Sequence, residues 1–370
     1  MKRILFVIPS LAHGGAEKVL VNLVNHMDRS RFDITVMTLF DEGINRQFLA
    51  PHIQYKSCFG KALPGNSHAM KLFSPSFLFR RLVKDKYDGI VAYLEGPAAR
   101  IVSGCPKDGT KLFSWIHITQ GNKRNAARAF RSYREARRCY ERFDAVCCVA
   151  RTVKEDFQQI FAPSKPVHVL YNTLESDKIR TEALEEVPVG VFREGELSLC
   201  GVGKLLKKKG FDRLARIHLR LRQEGFPVHT YVLGIGPEEK RLKQFIEDNG
   251  LQDSFTLLGY DVNPYRYVAR CDVFVCSSLE EGFSTAATEA LILGCPVVTT
   301  RVSGAEELLG NNEFGMITDN EEEALYQGIR ALVSDEALRK QYAQKALERG
   351  SRFSTTQTVW AVEALLENVL

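Results

Sequence analysis

Residues 272–300 read DVFVCSSLEEGFSTAATEALILGCPVVTT, and the fold turns on this stretch. Val273–Cys276 is a short, wholly apolar run of the kind that fits a strand buried on both faces. Ser277 and Ser278 end it, and the capping types Ser284 and Thr285 predict a helix running to Leu293. Gly294 stops that helix and Pro296–Thr300 supplies the next parallel strand. A helix start that follows a strand offers free backbone N–H groups and a positive dipole end, which suits an anion. Two carboxylates flank it, Glu281 in the loop and Glu289 inside the helix. They cannot hold the anion, but they suit hydroxyls, and an anion with several hydroxyls describes a nucleotide sugar. The helix dipole alone also favours glutamates here, so the pair by itself leaves both readings open.

The 370-residue chain is long enough for two domains of ordinary size, and 45% hydrophobic with 26% charged residues describes a soluble globular protein. Nine cysteines show no CxxC pair, which points to reduced core thiols rather than disulfides or zinc. The N-terminal apolar run spans only Ile4–Ile8 before Pro9, too short for a signal peptide. No run approaches the ~18 apolar residues of a membrane span, and a cytoplasmic location is expected. Charge is uneven. Residues 1–180 carry 29 Lys and Arg against 16 Asp and Glu, whereas residues 181–370 carry 21 against 29. The first half is therefore expected to face an anionic surface.

Strand and helix alternate along both halves. Strands are predicted at Ile4–Ile8, Phe32–Leu39, Gly89–Tyr93, Leu112–Ile116, Ala145–Val149 and Val167–Leu170, then at Leu197–Val202, Thr230–Leu233 and Phe255–Leu258. Such alternation predicts an α/β chain of two doubly wound, Rossmann-like domains, with ligands at the strand C-termini. The acidic, Pro- and Gly-containing residues 181–196 read as a linker between domains 1–180 and 197–353.

Several residues stand at those strand ends. Gly14 and Gly15, in HGGAE, let backbone approach a ligand or merely make a turn; the dinucleotide pattern GxGxxG is not met. His117 ends the strand SWIHI and is either a structural residue or a site residue. Lys204 and Lys209, in GKLLKKKGFDRL, suit a diphosphate as point charges or form a solvated loop; the Walker pattern is not met. Tyr260 follows a strand and is equally a packing residue or a neighbour of a nucleotide base. Residues 71–86 and 123–142 are basic and aromatic-rich, and Arg124, Arg128, Arg131, Arg134, Arg138 and Arg142 share one helical face. Basic helices of this kind suit an anionic membrane surface, and no nucleic-acid module is visible.

EGFSTAATEAL followed by GCPVVTT resembles the donor-site signature of retaining glycosyltransferases of the two-domain GT-B type, family 4. GKLLKKKGFDRL is similar to the family's GRLxxxKGfd element, with Lys204 where arginine is usual. The resemblance covers most of the chain, strongly over 197–309 and weakly over 40–110. It implies two domains facing a cleft, with a C-terminal helix near 354–370 returning to the first. It implies transfer of a sugar, with retention, from a nucleoside diphosphate donor, a UDP-sugar first among them, to an acceptor hydroxyl. A lipid-linked saccharide of a bacterial surface polysaccharide is the expected acceptor, reached from the inner face of the cell membrane.

Carried onto this sequence, the resemblance puts Lys204, Lys209 and the backbone N–H groups of Phe283, Ser284 and Thr285 on the diphosphate, with Gly282 also at the donor. Glu289 goes to the ribose, Glu281 to the transferred sugar, His117 to that sugar or the acceptor, and Gly14 and Gly15 to the donor diphosphate and the acceptor. No cofactor is implied, and no metal either, since no Asp-x-Asp element is present. A nucleotide-sugar epimerase or phosphorylase of the same architecture, or a non-catalytic partner subunit, remains the alternative.

Overall fold

Apolar runs such as Ile4–Ile8 and Val273–Cys276 are buried along their whole length because each is an inner strand of a parallel sheet. In the computed structural model, which describes residues 1–12, 14–60 and 70–370, the chain forms two units. The first unit holds residues 1–174 and 355–370, and the second holds 175–354. His13, in the glycine motif, lies outside the described residues.

The strands of the first unit are β1 (Lys2–Ile8), β2 (Phe32–Phe40), β3 (Gln54–Phe59), β4 (Gly89–Ala92), β5 (Lys111–Ile116), β6 (Ala145–Cys148) and β7 (Val167–Val169). They lie parallel in the order β3-β2-β1-β4-β5-β6-β7. β3 escaped the sequence reading because it is an edge strand, largely exposed, whose sequence QYKSCF has no apolar run. The C-terminal helix Thr355–Val369 belongs to this unit. It buries Val362 and Leu366, and its Glu363 accepts from the Asp28 backbone N–H at 2.6 Å and pairs with Arg31 at 3.1 Å.

The second unit contains β8 (Leu197–Val202), β9 (Val228–Leu233), β10 (Phe255–Gly259), β11 (Val273–Cys276), β12 (Val297–Thr300) and β13 (Met316–Thr318). Their order is β10-β9-β8-β11-β12-β13, all parallel. In both sheets the order reverses at one place, between β1 and β4 and between β8 and β11. In open α/β sheets that switch point is where loops diverge and leave room for a ligand.

Two expectations need correction. Residues 181–196 are not a free linker. The preceding helix Ser176–Glu182 already belongs to the second unit, and Asn263 and Arg270 donate to the Glu182 and Ala183 carbonyls at 2.8 and 3.1 Å. Tyr231 then holds the Val191 carbonyl at 2.8 Å. Nor is 123–142 one basic helix. It is two short ones, Lys123–Ala126 and Tyr133–Tyr140, because the Asn122 and Ser132 side chains each cap a new helix start. The six arginines therefore do not form one continuous stripe.

Candidate functional site

The C-terminal ends of β8 and β11 lie side by side at the switch point, and their loops are fastened together. The turn after β8 ends at Gly210 with φ +66°, a left-handed conformation that glycine adopts without penalty. A Cβ there would come within 2.0 Å of the Ser277 carbonyl, so the close passage of the two loops depends on its absence. Across that contact the Leu279 N–H donates to Lys208 O at 2.7 Å and the Ser277 hydroxyl donates to Lys209 O at 2.9 Å. The result is a half-buried ion pair, with Lys209 Nζ 2.5 Å from Glu281 Oε1, an oxygen that also accepts from the Ser278 hydroxyl at 2.6 Å.

Glu281 leads into the helix Thr285–Ile292. Ser284 caps it, accepting from the Ala287 N–H at 3.3 Å, while Thr288 donates back to the Ser284 carbonyl at 2.8 Å. One cap satisfies one of the four N–H groups that a helix start leaves without an intrahelical partner. Gly282 and Phe283 are buried beneath the turn, and Ser284 and Thr285 are partly exposed. One turn further in, Glu289 is buried, and Tyr265 donates its hydroxyl to Glu289 Oε1 at 3.1 Å. Burial first, and then the adjacent carboxylate, pushes the Tyr265 phenol far above its ordinary value, so it serves as a donor.

The remaining predicted residues of this unit are more dispersed. Lys204 is exposed on the same turn as Lys209, without a share in the ion pair. Tyr260 is 47% exposed and follows β10, the edge strand two places from the switch point. Of the residues expected here, the fold brings Lys209 and Glu281 into contact beside the helix start that carries Glu289, with Lys204 on the same turn as Lys209 and Tyr260 beyond the edge strand.

In the first unit, Gly14 caps the helix Gly15–His26 with extended backbone and no side-chain bond. The Glu17 carboxylate folds over it, and a Cβ on Gly14 would lie 2.0 Å from Glu17 Oε2. That helix start therefore already faces one negative group. His117 follows β5, buried, with its backbone N–H donating to Glu95 Oε2 at 2.9 Å and its ring 5.0 Å from that of Tyr93. Burial lowers its pKa to about 3, so the imidazole is neutral, and its Nε2 has no hydrogen-bond partner among the described residues.

Comparison with known proteins bears on this arrangement. Residues 184–349 match the model described as glycosyl transferases group 1, and residues 13–178 match glycosyltransferase family 4. The chain belongs to the group 1 glycosyltransferases. It is 27% identical, over 95% of its length and 96% of the relative's, to an N-acetylgalactosamine-N,N'-diacetylbacillosaminyl-diphospho-undecaprenol 4-alpha-N-acetylgalactosaminyltransferase of Campylobacter jejuni. Over 43% of its length it is 27% identical to the capsular polysaccharide biosynthesis glycosyltransferase CapM of Staphylococcus aureus, covering 42% of that protein. HepE of Anabaena, solved with UDP, superposes with a TM-score of 0.78 at 20% identity, covering 100% of both chains. Trehalose-6-phosphate from Escherichia coli bound with UDP-2-fluoro glucose superposes at 0.77 and 11% identity over 99% of this chain and 98% of that one. These likenesses give the glycosyltransferase its GT-B fold.

Besides Tyr265, the glycosyltransferase carries a second site element that the sequence did not reveal. Arg213 is 5% exposed, and its guanidinium donates to the Ser277 and Ser278 carbonyls, each at 2.7 Å. Thr300 donates its hydroxyl to the same Ser278 carbonyl at 2.6 Å. Arg213 thus fixes the loop that carries Glu281. Its signal in the sequence was an arginine on the helix face that also bears Phe211, Leu214 and Ile217, all of them buried.

Proposed function

We propose that this enzyme transfers a sugar, with retention of anomeric configuration, from a UDP-sugar to a hydroxyl of a lipid-linked saccharide in surface-glycan synthesis. The observation that carries the donor reading is the fastened pair of loops at the second switch point. There a lysine from the loop after β8 meets a carboxylate from the loop after β11, whose helix start and second, differently held carboxylate follow directly. The UDP in HepE and the UDP-sugar analogue in the E. coli protein support the choice of nucleotide. The diphospho-undecaprenol in the name of the Campylobacter relative supports a lipid-linked acceptor, and such an acceptor would confine the enzyme to a membrane face as a peripheral protein. The α linkage in that name is the outcome expected of retention from an α-linked donor.

The roles follow from charge and donor count. The leaving diphosphate gains charge in the transition state, so preorganised donors aimed at it accelerate the reaction most. An ammonium has three N–H donors. Lys209 spends one on Glu281 and keeps others for a phosphate, with Lys204 adding charge from the rim. The backbone N–H groups of Gly282, Phe283, Ser284 and Thr285 supply the helix-start contribution. Glu281, steadied by Lys209 and Ser278, accepts from a hydroxyl of the transferred sugar. Glu289, which also accepts from Tyr265, takes the ribose hydroxyls. Tyr260 borders the base. In the first unit, the neutral His117 imidazole, with Gly14 and Gly15, orients the sugar or the acceptor hydroxyl; Glu17 beside Gly14 makes a hydroxyl a better fit there than a phosphate.

Thermal-shift measurements against UDP, GDP and ADP, then against the matching sugar nucleotides, test the reading. UDP should raise the midpoint most, and the anomeric coupling of the product should match that of the donor. No shift with any nucleotide would refute the donor site, and an inverted product would refute retention.

A further inference from the structure

One edge of the first unit spends buried polar groups to keep apolar side chains outside. The turn at Met70–Leu72, followed by Phe73, presents four consecutive carbonyls to two arginines. Arg100, 2% exposed, donates to Met70 O at 3.0 Å and to Phe73 O at 2.8 Å. Arg131 donates to Lys71 O at 2.5 Å and to Leu72 O at 2.7 Å. Glu135 ties the two together, pairing with the Arg100 guanidinium at 3.0 Å and accepting from the Arg131 backbone N–H at 2.7 Å. Immediately after, the helix Pro75–Leu82 runs so near Gly104 that a Cβ there would lie 2.1 Å from Pro75 O. The backbone is thus held against the unit, and its apolar side chains face away. Leu72 is 77% exposed, Phe73 46% and Phe77 48%, with the two phenyl rings stacked at 5.1 Å. A turn free to relax would bury these groups, so holding them out is a feature of the fold.

The charge around them has one sign. Residues 70–84 and 121–134 contain no Asp or Glu and carry Lys71, Arg80, Arg81 and Lys84, then Lys123, Arg124, Arg128, Arg131 and Arg134. Lys71 reaches the Arg128 carbonyl at 2.6 Å, which joins the two basic segments into one patch.

We propose that this edge is a membrane anchor. Leu72, Phe73 and Phe77 enter the boundary between headgroups and acyl chains, and the surrounding lysines and arginines lie on anionic headgroups. Apolar insertion and a basic patch together hold a protein at a bilayer where either alone is marginal. A second copy of the chain would bring like charges face to face. Nucleic acid would need an open aromatic face, and Phe73 and Phe77 cover each other. The inference rests on the reading of the acceptor as lipid-linked, and it revises the sequence expectation: Arg131 serves as an internal clamp, and the apolar turn makes the deepest contact.

Co-sedimentation of the full chain with phosphatidylcholine vesicles, with and without phosphatidylglycerol, tests it without any donor or acceptor present. The wild type should sediment with the anionic vesicles. The double variant Phe73→Ser/Phe77→Ser should bind at least roughly ten-fold more weakly, about the worth of one large apolar side chain removed from water, and Arg80→Glu/Arg81→Glu should weaken binding at least as much by reversing two charges that lie on the headgroups. High salt should release what binding Phe73→Ser/Phe77→Ser retains, while the wild type stays partly bound. Transfer to a water-soluble acceptor analogue should be unchanged in both variants, which separates loss of anchoring from loss of the donor site. Failure of the wild type to sediment, equal binding by the variants, or dimerisation abolished by Phe73→Ser/Phe77→Ser would each overturn the proposal.

Discussion

Lys209 and Glu281 show how one contact can serve both structure and chemistry. Apart, each would be a partly desolvated charge; paired, Lys209 steadies the carboxylate and keeps donors for a phosphate. Replacing either by alanine removes a preorganised group facing the developing charge. Glu281→Ala and Lys209→Ala should each cost about 2–4 kcal/mol of transition-state stabilisation, read as kcat/KM for sugar transfer. Near-normal transfer by either variant would contradict the assignment. Lys209, Glu281 and Glu289 were singled out by the resemblance of GKLLKKKGFDRL and EGFSTAATEAL to the family's elements, because spacing alone left a solvated loop and the helix dipole as equal explanations. Arg213 and Tyr265 were not, since nothing local announces that two carbonyls converge on an arginine or that a tyrosine reaches a glutamate 24 positions away.

The elements that matter are the two loops at the second switch point, and their geometry rests on Gly210 and Arg213. Gly210→Ala places a Cβ against the Ser277 carbonyl and in left-handed backbone, a cost of roughly 1–2 kcal/mol from conformation alone. For a unit of this size that lowers the thermal midpoint by about 2–4 °C per kcal/mol. An unchanged midpoint would mean that the loops do not depend on this close passage. Arg213→Lys keeps the charge but not the planar fork that holds two carbonyls. It should lower kcat/KM almost as far as Arg213→Met, whereas full rescue by lysine would show that charge alone suffices. Strands with continuous apolar runs were read correctly from sequence. The edge strands β3 and β13 and the break at Asn122–Ser132 were not, because β3 is exposed and lacks an apolar run, β13 is only three residues long, and capping side chains interrupt a pattern that charge periodicity alone makes continuous.

At the scale of the molecule, both units carry a histidine kept neutral by burial: His117 in the first and His218 in the second, each held down to about 3. Unfolding lets both take up a proton below an ordinary histidine pKa of about 6.5. The unfolded state therefore binds more protons as pH falls, and stability that is complete above about pH 6.5 is lost toward pH 3. The slope approaches about 1.4 kcal/mol per pH unit per histidine. Thermal midpoints should fall between about pH 6.5 and 5, before the carboxylates titrate. Replacing His218 by Gln should shallow that fall, and a flat profile in the wild type would contradict the buried, neutral assignment. The division into two parallel-sheet units was visible in the alternation of strands and helices. The point of division was not, because residues 181–196 have a linker's composition and yet are pinned by Asn263, Arg270 and Tyr231. Whether the loop and helix around residue 285 hold a sugar nucleotide is decided by titration calorimetry with UDP. The wild type should show one binding event per chain, and Glu289→Ala should bind at least roughly ten-fold more weakly, the loss of hydrogen bonds to a charged acceptor. No heat of binding, or equal affinity in the variant, would contradict it.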